Sequence, residues 1–181
     1  ALWCPSDGVL DTDRLVRALW LDLAGRGVRF GFLAGGRIRR EADGFAAEMT
    51  PDNLLTAPVL VNAAGAWAGE VAGMTGAASF QVQPLRRHVF VTAAFEPAIR
   101  FPIIWDVSRE IYVRPDGAAV LTTPCDEEPC EPGPTGISDE ARILLEKKLV
   151  GFFPAILGAR HTRMWSGLRT FAKDRKFVIG W

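Results

Sequence analysis

The sequence predicts an α+β fold, a mostly antiparallel sheet flanked by helices. Two observations lead there. Segments 28–33, 37–41 and 44–49 read as short strands joined by Gly-rich and Asp-Gly turns. Segments 103–106, 110–114 and 118–123 repeat the pattern as a meander, the last two joined by Pro115-Asp-Gly117. Three helical stretches stand around these strands.

In chain order, Gly8-Val-Leu-Asp11 is an extended lead-in, with Asp11 placed to cap a helix. Leu15, Val16, Leu19, Leu23 and Ala24 then recur at helical spacing, and Gly25 and Gly27 can end that helix. After the first strands, Pro58 precedes an apolar strand, 59–61, which runs into the small-residue turn Asn62-Ala-Ala-Gly65. Residues 66–75 read as a short helix. Segments 80–82 and 88–92 read as strands flanking Pro84-Leu-Arg-Arg87, and residues 125–136, dense in Pro, Gly and acids, read as a loop. Ser138 caps a helix over 139–150 carrying Ile143, Leu144 and Leu149, and segments 160–169 and 176–180 are the final strands.

Composition narrows the function classes. A chain of 181 residues can bury one sizeable core, or one domain with extensions. Its 21 basic and 21 acidic side chains cancel, so no electrostatic argument points to nucleic acid or an anionic membrane. No apolar run reaches a membrane span and no signal segment opens the chain, which reads as cytoplasmic. Its start at Ala1-Leu-Trp3, without methionine, reads as that of a trimmed or partial protein. Three cysteines, an odd count, argue against a disulfide framework. Cys125 and Cys130 could form half a zinc site, but zinc takes about four ligands, and His88 and His161 are irregularly spaced. The favoured reading is a surface loop with two free thiols.

Four features carry chemistry. Small residues at the turn around Gly65 let a phosphate or flat cofactor approach the backbone; the alternative is a strand packing a helix. Arg86 and Arg87 are adjacent on a strand and point to opposite faces, so one can face a cavity while the other meets solvent. Tyr112 is the single tyrosine; in Ile111-Tyr-Val-Arg-Pro-Asp116 it shares a face with Arg114, opposite Ile111 and Val113. Its alternative role is that of an amphipathic residue at the core edge. In Trp165-Ser-Gly-Leu-Arg169 the arginine offers a rigid fork suited to a carboxylate, with Gly167 keeping the approach open. A structural salt bridge with Asp174 is the alternative. No Gly-x-Ser-x-Gly elbow or Gly-Lys-Ser/Thr loop is present. His88 and His161 lack evident partners, and Glu127-Glu128 lie in a Pro-rich loop, a poor place for a rigid acid–base pair.

In this order, Val59-Leu-Val-Asn-Ala-Ala-Gly-Ala-Trp-Ala68, the Ile111–Asp116 string and the Trp165–Arg169 string resemble FAD-dependent amino-acid and amine oxidoreductases, the group of D-amino-acid dehydrogenase, glycine oxidase and sarcosine oxidase. The resemblance implies that Ala64, Gly65 and Trp67 contact FAD, mostly through backbone. It implies that Arg169 anchors a substrate carboxylate, that Tyr112 hydrogen-bonds it, and that Arg87 faces the substrate cavity. It implies oxidation of the amine-bearing carbon of a D-amino acid or N-substituted glycine by hydride transfer to flavin. No residue is assigned as catalytic, since an amine arriving unprotonated needs no strong acid or base. It further implies parts of a Rossmann-like FAD domain in residues 1–78, a substrate-binding domain in 79–165, and a return toward the FAD domain in 166–181.

The chain departs from the family pattern in several places. The cofactor fingerprint Gly-x-Gly-x-x-Gly is missing, Gly35-Gly36 stands where an apolar residue usually lies near the adenine, and Phe177 stands where proline is common. The 181 residues alone are therefore expected to hold FAD weakly or not at all and to be inactive. An apolar edge at 59–61 is expected to leave self-association possible. The competing reading is a truncated, non-catalytic binding or interaction module derived from the same family.

Overall fold

The computed structural model describes residues 2–32, 36–50, 53–77, 81–96 and 98–180. The expectations placed on Leu33, Gly35 and Phe80 lie outside the described residues. The chain divides into two compact units, Ala1–Ala57 and Pro58–Trp181.

In the first unit, helix α1 (Thr12–Gly25) begins where expected, with the Asp11 carboxylate accepting from the Arg14 N–H at 3.0 Å. Gly27, at φ +83°, closes it: its N–H donates to the Ala24 carbonyl, and the Val28 N–H reaches the Leu23 carbonyl. That pair is the glycine-terminated C-cap in which two late carbonyls find donors. Strands β1 (Arg37–Glu41), β2 (Gly44–Thr50) and β3 (Asn53–Ala57) form an antiparallel sheet in that order. Two corrections apply. Residues 28–32 form no strand; Phe30 and Phe32 instead pack edge-on against Trp20, with ring centroids 5.8 and 5.5 Å away. Conversely, β3, unread in the sequence because it is exposed throughout, is held by its ladder to β2.

The second unit opens with a segment that is not the expected strand. Residues 59–61 have no ladder partner among the described residues, and Val61 is 82% exposed. A strand needs a neighbour for its backbone groups, and none is supplied here. The following 3-10 turn (Gly65–Trp67) and helix α2 (Ala68–Thr75) match the helix expected at 66–75.

The main sheet is built from β4 (Val82–Thr92), β5 (Ile104–Asp106), β6 (Ile111–Asp116), β7 (Ala119–Thr123), the two-residue β8 (Glu128–Pro129) and β9 (His161–Ala172). All its pairings are antiparallel: β5, β6 and β7 form the expected meander, β4 pairs with β7, β8 pairs a different stretch of the same β4 edge, and β9 runs along the other edge. Pro84 does not interrupt β4. The Cys130 N–H donates to the Pro84 carbonyl at 3.2 Å, so residue 84 turns its backbone polar groups toward β8. Its missing N–H is thus not required by the β9 ladder. The loop expected at 125–136 is broken by β8, and the strand expected at 176–180 is not formed.

Helix α3 (Asp139–Val150) covers one face of this sheet. Ser138 caps it as expected, its hydroxyl accepting from the Ala141 N–H, with Asp139 and Glu140 at the start and Lys147 and Lys148 in the last turn complementing the helix dipole. Ala141, Leu145 and Leu149, four residues apart, pack on Phe90, Ile111, Val113 and Val120. Ile143, read as an apolar member of this helix, is instead exposed.

His88 has the partners the sequence did not reveal. It is fully buried, with Nδ1 2.6 Å from the Asp126 carboxylate and Nε2 accepting from the Ser138 N–H at 3.1 Å. Nδ1 faces the carboxylate, which can only accept, so Nδ1–H donates to Asp126, and Nε2 also lies 3.3 Å from the Gly136 carbonyl. One imidazole thus ties β4 to the loop before β8 and to the start of α3.

Leu145 fills the centre of the α3–sheet core. Leu145→Ala is expected to lower unfolding stability by about 2–5 kcal/mol, read from a urea titration with an unchanged slope.

Candidate functional site

Facing residues of an antiparallel pair share one side of a sheet, and neighbours along a strand alternate. Phe90 and His88 turn toward α3, so Val89, Arg87 and Leu85 turn away from it. Arg169 faces Leu85 across the β4–β9 ladder and therefore lies on that second side with Arg87. Tyr112, flanked by the buried Ile111 and Val113, faces Trp105 and Thr123 and takes the same side. The three residues singled out for substrate contact occupy one face of one sheet.

A cavity of about 220 Å³ opens on this face, lined by Arg87, Trp105, Val107, Glu110, Cys125, Glu127, Arg169, Phe171 and Arg175. Arg87 and Arg169 meet there. Tyr112 is not part of its wall; its cross-strand partner Trp105 is. A larger cavity of about 580 Å³ shares Glu110, Cys125 and Glu127 and is otherwise lined by Asp126, Glu128, Ser138, Glu140, Ala141 and Leu144, with Lys148 as its one cation. Its walls have the wrong sign for a carboxylate ligand, whereas those of the smaller cavity have the right one.

The arginines differ in what already holds them. Arg87 donates to the carbonyls of Asp126 (3.2 Å) and Cys125 (3.3 Å) and to Glu127 (3.2 Å). Arg175 grips the same Glu127 with both terminal nitrogens, at 3.1 and 2.5 Å. Arg169 has no hydrogen-bond or ion-pair partner among the described residues; its guanidinium lies over the Phe171 ring, 5.0 Å from the centroid, and Arg175 lies over the same ring at 4.6 Å. The salt bridge to Asp174, the competing reading of Arg169, is not formed, since that carboxylate accepts from the Lys176 N–H. Arg86 does not meet bulk solvent as expected. It turns to the α3 side and is bound by Glu128.

The Glu127-Glu128 pair, read as a poor place for a rigid acid–base device, is engaged in ion pairs set by the same alternation. Paired β8 against β4 sets Glu128 opposite Arg86, and the preceding Glu127 meets Arg87. Two adjacent acids answering two adjacent arginines was the available signal. Hydrogen bonding from Arg175 leads the causes that hold the Glu127 carboxyl below its ordinary pKa. Burial pushes the Cys125 thiol up, against the pull of Arg87, Lys148 and Arg169, so this cysteine is a neutral thiol rather than a nucleophile near neutral pH.

Backbone strain gathers at the same place. Glu110, Cys125 and Arg175 are the non-glycine residues with positive φ among the described ones (53°, 51° and 59°), and all three line this cavity. Such conformations cost free energy and persist where surroundings enforce them, as they do at ligand sites.

The 3-10 turn contacts β4 and β9. Asn62 shapes it: its Oδ1 accepts from the Ala64 N–H and its Nδ2 donates to the Ala68 carbonyl. Gly65 adopts φ +54°, and a Cβ built on it would meet nothing within 4 Å. Ala66 and Ala68 are buried, while Gly65 and Trp67 present the open edge. A side-chain-free bend with an open flank and an exposed indole fits the approach of a flat ring system.

The second unit thus combines an antiparallel sheet, an arginine-lined cavity on one face and a side-chain-free bend in contact with β4 and β9. Residues 1–181 match the family described as FAD dependent oxidoreductase (DAO), and the chain belongs to that family. Its fold is similar to glycine oxidase from Geobacillus kaustophilus, with a TM-score of 0.74 and 21% identity over 95% of this chain and 45% of that one. L-proline dehydrogenase from P. horikoshii aligns with a TM-score of 0.79 at 17% identity, over 99% of this chain and 49% of that one. Iminodiacetate oxidase from Chelativorans sp. aligns with a TM-score of 0.59 at 17% identity, over 88% and 43%. The chain thus spans just under half the length of these structures. No helix among the described residues is long and apolar enough to cross a membrane.

The lowered pKa of Glu127 sets a pH window. Its contribution to stability is fully present above the ordinary carboxyl value of 4.5 and is lost as pH falls through the depressed folded value. Glu127→Gln is therefore expected to be less stable than the parent chain at pH 7, with the gap closing below about pH 4.5 in a pH series of unfolding curves.

Proposed function

We propose that this chain supplies the carboxylate grip, and part of the flavin contact, of an FAD-dependent oxidoreductase acting on a D-amino acid or an N-substituted glycine. One observation carries the reading: Arg169, a bidentate donor with no partner among the described residues, is held over Phe171 at the mouth of a cavity sized for a small ligand. FAD, held in part by Ala64, Gly65 and Trp67, would supply the hydride acceptor for oxidation of the amine-bearing carbon. This chain's part is to hold the substrate still. Arg169 pairs with the α-carboxylate, and the apolar wall of Trp105, Val107 and Phe171 excludes water around it. Tyr112, on the same face one strand in from Trp105, hydrogen-bonds a substrate that extends beyond the cavity. Arg87 stays in the wall, where Glu127 and two carbonyls fix it. Ala64, Gly65 and Trp67 offer their open edge to the flavin. A cytoplasmic setting, in which Cys4, Cys125 and Cys130 remain thiols, belongs to the same reading.

Two measurements test it. Titrated with D-amino acids and N-methylglycine by NMR, the 181-residue chain is expected to shift resonances lining the cavity, and Arg169→Leu is expected to weaken binding at least ~10-fold, the loss of one charge-assisted pair. Binding that ignores this substitution would sink the proposal. The flavin grip is expected to be weak, because the phosphate-cradling Gly-x-Gly-x-x-Gly is not among these residues. Purified chain dialysed against FAD should retain far less than one flavin per chain by visible absorbance, and stoichiometric retention would refute this.

A further inference from the structure

The charge in the cavity exceeds what one carboxylate satisfies. Arg87, Arg169 and Arg175 bring three guanidinium groups to its wall. Glu127 is the one carboxylate bound to them, and it is shared between Arg87 and Arg175. Glu110, the other acid of the wall, points its carboxylate to Lys148 at 3.8 Å. Two positive charges are therefore left without a hydrogen-bonded carboxylate of their own among the described residues. The α-carboxylate of the proposed substrate answers Arg169, and an unprotonated amine adds no charge, so one positive charge still lacks a partner beside Trp105 and Phe171.

We infer that the cavity selects a substrate with a second anionic group: an acidic D-amino acid or an N-carboxymethyl glycine, whose far carboxylate is received by Arg175 and Arg87. The inference rests on the reading in which Arg169 binds the α-carboxylate. Donor geometry supports it. Glu127 engages the two terminal nitrogens of Arg175, leaving its Nε without a partner among the described residues, and the Nη1 of Arg87 is likewise unengaged there. The chain also spends backbone strain to bring Arg175 here. Residue 175 sits at φ +59°, its N–H held by the Ala172 carbonyl at 2.9 Å, so that the turn after β9 folds the guanidinium back over Phe171. An arginine serving only solubility has no need of such a turn. Arg169 and Arg175 lie over the same Phe171 ring, 5.0 and 4.6 Å from its centroid, a proximity that suits a short diacid.

The experiment compares near-isosteric pairs on the 181-residue chain by NMR titration: D-aspartate against D-asparagine, and iminodiacetate against N-methylglycine. The diacid of at least one pair is expected to bind at least ~10-fold tighter than its partner. Arg175→Gln is expected to bring that ratio toward one, and Arg175→Lys to keep part of it, whereas Arg169→Leu weakens both members. If both members of each pair bind equally and both still depend on Arg169, the second-acid inference is overturned and the carboxylate grip stands. If binding does not depend on Arg169, or no member binds, both fall. A diacid preference that survives Arg175→Gln would also overturn the inference.

Discussion

Side-chain alternation along β4 is the constraint on which the second unit depends. This strand is paired on both edges, by β9 along one side and by β7 and β8 along the other. A strand so fixed cannot slip by one residue without exchanging its two faces. Phe90 and His88 are thereby committed to the α3 side, and Arg87 and Leu85 to the other. Because β9 follows β4 residue for residue from Val82 to Val91, Arg169 inherits its side from Leu85. The hydrophobic core thus sets the orientation of the site, and the imidazole of His88 locks the loop carrying Asp126 to Glu128 onto the same strand.

That loop converts register into electrostatics. Glu128 neutralises Arg86 on the α3 side, and Glu127 bridges Arg87 and Arg175 on the other, offsetting one of their two charges. Without Glu127, two guanidinium groups would repel each other at the cavity wall. With it, they form a braced pair, and Phe171 carries the guanidinium planes of Arg169 and Arg175. Arg169 is exposed and hydrated, which keeps the cost of its unmet charge small. The positive φ at Glu110, Cys125 and Arg175 records the backbone cost of bringing a hairpin turn, a loop and a strand end to one point.

The family assignment and the geometry speak to different things. The match over the whole chain establishes an FAD-dependent oxidoreductase family, and the solved structures, all near or below one-fifth identity, establish the fold. Neither names a substrate. In this chain charge and backbone strain coincide at one small cavity.

The sequence alone determined most of the local structure. Helix boundaries at Asp11, Gly27 and Ser138, the meander, and the opposed faces of Ile111 and Tyr112 follow from capping chemistry and period-two alternation, which act between near neighbours. It also carried Arg169, because a guanidinium after Gly167 is a local pattern. Tertiary structure decided the rest. Pro84 could stay within β4 because its polar groups face β8. The apolar segment 59–61 has no ladder partner among the described residues. His88 gained Asp126 and Ser138, and Glu127 gained Arg175 from 48 residues away. Such partners depend on pairing register between distant strands, and a single chain of letters records the residues without recording which of them are brought face to face.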